Sequence, residues 1–306
     1  MHPRLRLVER DIVSGPLDAD KLDYLLRDTH YAGVKYGVYD VGRVTYSMAK
    51  GEDRSGTYLC VQEEDVSAVD QFLIARHNMT VQVYRHRVRR IVDAMLVRAV
   101  TESATVQGSC VAQAFDYQPE KEEWLNRWLA LDDSTLLRHI QEDSTSCGKR
   151  MMERLMERRL LKEAFYEPLE RLSDDRLREG LGRLSTRAQT ARELEDRIAR
   201  TCDIEDGRMV FVDVVEPGTA LYEPHVDVGN INVRRRDGAM AGYEQFSQLL
   251  RSVEMERATF VAVYLPVDET DKDRKEARYK ELWNGVASVV SLKDSVKEDD
   301  GDDGRR

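Results

Sequence analysis

Cysteine is scarce in this 306-residue chain and scattered: Cys60, Cys110, Cys147 and Cys202 stand far apart and form no CxxC pair. That spacing excludes a zinc knuckle or a disulfide framework and points to reduced thiols in a cytoplasmic protein. Histidine is nearly as thin. His2, His30, His77, His86, His139 and His225 include no HxH, no HExxH and no His followed by Asp. No apolar run reaches the roughly 18 residues of a membrane span, and the N-terminus lacks the apolar core of a secretion signal. GxxxxGK[ST] and GxGxxG are both missing, and no internal repeat is present.

Charge is plentiful: 34% of residues are charged and 41% hydrophobic, which is ordinary for a soluble, helix-rich chain. The formal net charge of −10 is uneven. Much of the excess lies in Lys297-Glu-Asp-Asp-Gly-Asp-Asp-Gly304, so the body does not exclude an anionic ligand.

The most informative stretch is Leu17-Asp-Ala-Asp-Lys-Leu-Asp-Tyr-Leu-Leu-Arg-Asp28. On a helix at about 100° per residue, Asp20, Lys21, Tyr24 and Asp28 share one arc and Leu22, Leu25 and Leu26 the opposite one. Asp18 is placed to cap it, and Asp23 and Arg27, four apart, to pair. One face is then a core seam. The other lines up two carboxylates, an ammonium and a phenol, a site candidate whose plain alternative is an ordinary amphipathic surface helix.

Along the rest of the chain, Val44–Met48 and Thr57–Val61 read as two strands of a hairpin joined by Ala49–Gly56. Val66 to Val100 reads as one long helix, with Arg76, Thr80, Tyr84 and Arg87 along one side. That side is either a basic, aromatic-bearing face for a phosphate ligand or a packed tyrosine among solvated arginines. Glu120–Leu131 and Ser134–Glu142 read as helices, the second capped by Asp132 or Asp133. Ser144–Gly148 is a turn, and Met151–Leu172 is a helix that Pro168 kinks or ends. Asp174–Arg200 is a charged helix pair. Its dense Glu and Arg with almost no aromatic residue read as a solvated face, not a nucleic-acid surface. From residue 203 the texture changes to strand type in Met209–Val215, Ile231–Arg234 and Thr259–Leu265, with helices at Tyr243–Ser252 and Asp271–Val290. The expected architecture is mainly α: a helical domain over 1–202 with a β-hairpin near 44–61, a small α+β module over 203–294, and a disordered acidic tail over 295–306.

The segment Asp11–Asp28 resembles the last motif of the HD-domain phosphohydrolases. It is most similar to their deoxynucleoside triphosphate triphosphohydrolase branch, which includes the SAM-and-HD-domain enzyme and bacterial relatives. Gln71-Phe-Leu-Ile-Ala-Arg-His-Asn-Met-Thr-Val-Gln-Val-Tyr-Arg-His-Arg87 resembles a second signature of that branch, an Arg followed by Tyr-x-His-basic. Arg158–Lys162 and Phe211–Val215 are similar to weaker, later segments, so the likeness runs along about residues 8–265. The resemblance implies that the helical part is the later portion of an HD-type bundle. It implies Asp20 as the last ligand of a divalent metal, Lys21 and Arg76 on substrate phosphates, Tyr24 and Asp28 around the deoxyribose 3′-hydroxyl, and Tyr84 packed on the sugar. It further implies His86 and Arg87, with Arg158 and Lys162, beside a regulatory nucleotide at a subunit interface, exposed or intersubunit charges being the alternative there.

The departure is equally informative. The family binds metal through His, a His-Asp pair and Asp in chain order, and only the final Asp stands here. One carboxylate does not hold a catalytic divalent ion, which needs about four to six ligands. The missing ligands belong upstream of Met1 or on a partner. The expectation is therefore the later half of a dNTP-hydrolysing site, truncated or split, working as a homo-oligomer or with a chain that carries the His and His-Asp motifs. The alternatives are a catalytically silent nucleotide-binding scaffold and an HD phosphodiesterase acting on another phosphate ester.

Overall fold

A computed structural model describes residues 8–54, 56–142, 147–216, 231–247 and 258–293. The predicted tail at 295–306, most of the turn at 144–148 and the end of the predicted 243–252 helix lie outside them. The mainly helical class with a small sheet part is borne out. Among the described residues, no helix is long and apolar enough to cross a membrane.

The chain forms two compact units, each assembled from two separate segments. The first takes residues 1–89 and 217–257. It begins with helices α1 (Val8–Ser14), α2 (Ala19–Ala32) and α3 (Val41–Ser47). Strands β1 (Met48–Asp53) and β2 (Gly56–Gln62) follow, then helix α4 (Val66–Met79) and a π-helical turn, Thr80–Tyr84. Strands β5 (Asn232–Arg234) and β6 (Met240–Gly242) complete it. Its sheet runs β1-β2-β5-β6, with β5 parallel to β2 and the other pairs antiparallel. Leu25, Val44, Val61, Val69, Phe72, Met79, Val233 and Tyr243 form the core. The Tyr243 hydroxyl donates to Asp70 at 2.5 Å, which fastens the later segment to α4.

The second unit takes residues 90–216 and 258–306. Helix α5 (Arg87–Ala104) leads into it, and α6 (Cys110–Phe115), α7 (Glu122–Leu129), α8 (Asp133–Glu142) and α9 (Cys147–Met156) follow. Then come strand β3 (Lys162–Pro168), helices α10 (Asp175–Gly182) and α11 (Leu184–Thr201), and strand β4 (Phe211–Val215). Strand β7 (Phe260–Leu265) and helix α12 (Lys272–Val290) close the unit. Its sheet is antiparallel in the order β3-β7-β4. Strand β7 reads as an unbroken apolar run because both its faces are covered. Val261, Val263 and Leu265 join the cluster with α11 and α12, while Ala262 and Tyr264 join the one with α5 and α9.

Several expectations need correction. Val44–Met48 is not a strand: Asp40 caps a helix there, accepting from the Arg43 amide at 2.9 Å, and Thr45 bonds back to the Val41 carbonyl at 2.7 Å. The hairpin exists, but its first strand is Met48–Asp53, of which the part from Ala49 reads as connector. The long helix from Val66 is broken by the π turn and by residues 85–86, so Arg87 opens a new helix. Met151–Leu172 is helical only to Met156. Arg158 takes a left-handed φ of 56°, and Lys162 lies on a strand. The strand-type sequence after residue 203 does not form one sheet of its own, since β7 pairs with β3 as well as with β4 while β5 and β6 extend the sheet of β2.

Candidate functional site

Asp18 opens α2 from an extended backbone (ψ 161°) and accepts from the Lys21 amide at 2.8 Å, satisfying an otherwise orphan N–H of the first turn. Gly33 ends the helix in the left-handed region at φ 68°, donating to carbonyls of the last turn. Asp23 and Arg27 pair at 3.4 Å across exposed surface, as the i,i+4 spacing implies. Leu25 is fully buried, and Leu22 and Leu26 pack at the edge of the same core.

Helices α2 and α4 are held together by small groups. The Thr29 hydroxyl lies 3.4 Å from the Met79 sulfur, both buried. Gly37 fits the space beside them: a Cβ there would stand 2.2 Å from the Thr29 hydroxyl and 2.9 Å from the Leu25 carbonyl. This packing fixes the polar face of α2 relative to the end of α4 and the π turn.

At that junction, the Tyr84 hydroxyl donates to Asp28 at 2.7 Å, and the Tyr24 and Tyr84 rings meet edge to face with centroids 6.2 Å apart. Arg76 is half-buried on α4 and close enough to act electrostatically on Tyr24. Burial raises the Tyr24 phenol above its ordinary range; the Arg76 charge opposes the rise, and Asp18, Asp20 and Asp28 add to it. Tyr84 is pushed up further, by burial first and then by its bond to Asp28. Both phenols are therefore neutral donors near neutral pH.

Lys21 and Asp20 occupy the first turn. The Lys21 ammonium lies 2.5 Å from the second oxygen of buried Asp18 and donates to the Gly15 carbonyl at 3.0 Å. Asp18 thus holds Lys21 twice, through backbone and side chain. Sequence reasoning identified the cap and missed the ion pair, which needs only the same three-residue spacing. Asp20 is exposed and has no hydrogen bond or ion pair among the described residues.

The predicted residues divide by unit. Asp20, Lys21, Tyr24, Asp28, Arg76 and Tyr84 share the first unit, where Tyr24, Asp28, Arg76 and Tyr84 converge and Asp20 and Lys21 lie about one turn of α2 from Tyr24 and about two from Asp28. His86 and Arg87 are exposed, just past the π turn. Arg158 and Lys162 belong to the second unit, on the loop after α9 and the start of β3.

Among the described residues the cluster forms a polar wall, apart from two cavities of the same unit. A cavity of about 230 Å³ lies between α1 and strands β2 and β5, lined by Asp11, Gly15, Tyr58, Cys60 and Asn232. A larger, apolar groove of about 870 Å³ runs along the opposite face of α2, past Leu22, Leu26, Tyr31 and Met48. Neither includes Asp20, Tyr24, Asp28, Arg76 or Tyr84. Among the described residues, no group of three His, Cys, Asp or Glu side chains is placed to hold a metal. The donors present do not fit a divalent ion by themselves. What the wall offers is two neutral phenols and a carboxylate for hydroxyl groups, and two cations for phosphate.

Known proteins place this wall in context. The family model described as the HD associated region matches residues 39–282, a range that includes Arg76 and Tyr84 and begins after Asp28. An uncharacterized protein of Methanocaldococcus jannaschii is 25% identical over 289 residues, covering 94% of this chain and 56% of that protein. The uncharacterized protein YwfO of Bacillus subtilis is 27% identical over 172 residues, covering 53% of this chain and 38% of its own. The chain therefore spans about half the length, or less, of these curated relatives. Among solved structures, a phosphohydrolase from Bacteroides thetaiotaomicron superposes with a TM-score of 0.61 at 21% identity, over 87% of this chain and 64% of that one. A hypothetical protein from Aquifex aeolicus gives 0.56 at 22%, over 89% and 59%. At these identities the likeness is one of fold.

Proposed function

The chain belongs to the HD associated region family, and from that premise we propose that it forms the later half of a phosphohydrolase site for deoxynucleoside triphosphates. The observation that carries the reading is the junction of Tyr84 with Asp28, which brings two stretches 56 residues apart to one place beside Tyr24 and Arg76. A ring over a sugar face, with a carboxylate and a phenol at its edge, suits a deoxyribose whose 3′-hydroxyl needs partners. Arg76 and Lys21 supply the cationic side for a triphosphate, and Lys21 must exchange its contact with Asp18 to do so. Asp20, exposed and without a hydrogen bond or ion pair among the described residues, is a carboxylate that could join a metal shell whose other ligands another segment supplies. A metal held there would polarise the α-phosphate. This chain's own part is to bind and orient the nucleotide.

Two measurements test this. Calorimetry of the chain with dGTP and GTP is expected to give tighter binding of the deoxynucleotide, weakened by Arg76→Ala. The chain joined to a segment carrying the His and His-Asp motifs, with Mn²⁺, is expected to release tripolyphosphate from a dNTP and to lose that activity in Asp20→Ala. A complete assembly that hydrolyses no dNTP sinks the reading. The second reading, a silent nucleotide-binding subunit, is favoured by the lack of a metal-ligand group among the described residues. It predicts dNTP binding that survives Asp20→Ala and no turnover in any assembly.

A further inference from the structure

The second unit carries an aromatic face that the nucleotide reading does not use. Trp124 and Trp128, one turn apart on α7, stack with centroids 5.7 Å apart and planes within 11°. Phe115, at the end of α6, meets Trp128 edge-on at 5.9 Å. The Trp124 indole is buried and donates to the Ala114 carbonyl at 3.1 Å, so the platform is anchored to α6. Outward from it, Phe115, Leu125 and Trp128 are each more than two-fifths exposed, and Leu129 is 73% exposed. A helix of ordinary surface composition would not stack two indoles to leave one at the surface beside two leucines. A contiguous exposed patch of this kind marks a binding surface.

Its rim decides the occupant. Glu120, Glu122, Asp132 and Asp133 are all exposed around this stretch. Asp116 and Glu123 instead share a cavity with Lys121 and Arg127 beside Trp124, where Arg127 donates to Gln113 at 2.5 Å and lies 3.9 Å from Glu123. An apolar strip bordered by acids repels an anionic membrane. Pressed against its own image in a symmetric dimer, it would set acid beside acid. It complements a helix with one apolar and one basic face. We propose that the α6–α7 face docks a basic amphipathic helix of a protein partner, with Leu125, Trp128 and Leu129 as the apolar contact and the surrounding carboxylates as the electrostatic one.

The test uses the full chain with Trp283→Phe, so that the remaining indoles report from α7. The probe is a designed Leu/Lys amphipathic peptide, with a matched Leu/Glu peptide and phosphatidylserine vesicles as comparisons. Saturable blue-shifted fluorescence is expected with the basic peptide alone, weakening as salt rises. Leu129→Asp is expected to weaken binding about tenfold or more although it adds negative charge. That result separates docking from general attraction to an acidic protein. Glu120→Lys with Glu122→Lys is expected to weaken it as well, and circular dichroism checks that both variants fold. Binding that Leu129→Asp leaves unchanged or strengthens, equal binding of the two peptides, or preference for the vesicles overturns the proposal. So does a self-associated chain that Leu129→Asp converts to monomer, since the face would then belong to a second copy.

Discussion

Asp28 and Tyr84 bond at 2.7 Å in a half-buried setting, and neither is replaceable without leaving the other short of a partner. Tyr84→Phe is expected to cost about 1 kcal/mol, a modest figure because Asp28 keeps access to water. Urea unfolding measures it. The proton linkage has a definite sign. Tyr84 is raised in the folded chain, so its contribution is constant below about pH 10, the unfolded value, and is lost as pH climbs through the higher folded one. Absorbance titration of the native chain at the phenolate band is expected to show one late-ionising phenol fewer in Tyr84→Phe, beside Tyr39, Tyr243 and Tyr264, which burial also raises; no change in their number would mean the bond does not form in solution. Asp20 is a contrasting case. It is exposed and has no hydrogen bond or ion pair among the described residues, so Asp20→Ala is expected to move stability by no more than about 0.5 kcal/mol. A burial penalty therefore does not explain its presence. Much at this scale was legible by counting: the Asp18 cap, the Asp23–Arg27 pair and the polar arc of α2 all follow from helical spacing. The meeting of Tyr84 with Asp28 does not, because no local rule links positions so far apart; only the family likeness put them at one sugar.

The element that brings Tyr84 round is the π turn Thr80–Tyr84. Its wider turn shifts the register of everything after Met79, and such turns often sit at functional sites. Deleting Val81, which is exposed, removes the one residue that the wider turn takes up, and α-helical spacing then returns Tyr84 to about its present direction, toward Asp28. Helix content by circular dichroism should hold, the Tyr84 phenol should still ionise late, and dNTP affinity should stay close to that of the parent chain. Loss of both would show that the turn itself, and not its register, places the tyrosine. Nothing in Thr80-Val-Gln-Val-Tyr84 announces a π turn, which has no composition of its own. The same limit explains the other misread elements. Val44, Tyr46 and Met48 alternate like a strand, yet burial of Val44 and Ser47, three apart, and the Asp40 cap make a helix. Strand β1 has no apolar alternation, carries Lys50, Glu52 and Asp53, and exists because β2 offers it a ladder; β3 exists because β7 does. Pairing of this kind is tertiary, and periodicity within one segment does not reveal it.

At the scale of the molecule, the sequence reads as helical matter followed by strand matter, whereas the chain deals its later strands to two sheets. Val233 and Tyr243 complete the first core, and Val261 to Leu265 run through the second. A composition change at residue 203 marks where strands become common, not where a unit begins. The second unit also holds a buried ion pair that ties its elements together. Arg98 and Glu195 are both buried and bonded at 2.7 Å; the other Glu195 oxygen accepts from the Val212 amide at 3.0 Å, and Arg98 lies 5.2 Å over the Phe211 ring. This links α5, α11 and β4 through one carboxylate. A buried pair adds little net stability against an apolar substitute, but removing one partner strands the other charge, which costs about 3–5 kcal/mol. Glu195→Ala is therefore expected to lower the unfolding midpoint of the second unit and to leave the Tyr84–Asp28 wall in place. Hydrogen exchange is the suitable measurement, since it reads the units separately. Amides of β4 and α11 should lose protection in the variant while those of α2 and α4 keep theirs, and dNTP affinity should match the parent chain. Equal loss of protection in α2 and α4 would show that the two cores unfold as one, and that the nucleotide wall depends on a carboxylate in the other unit.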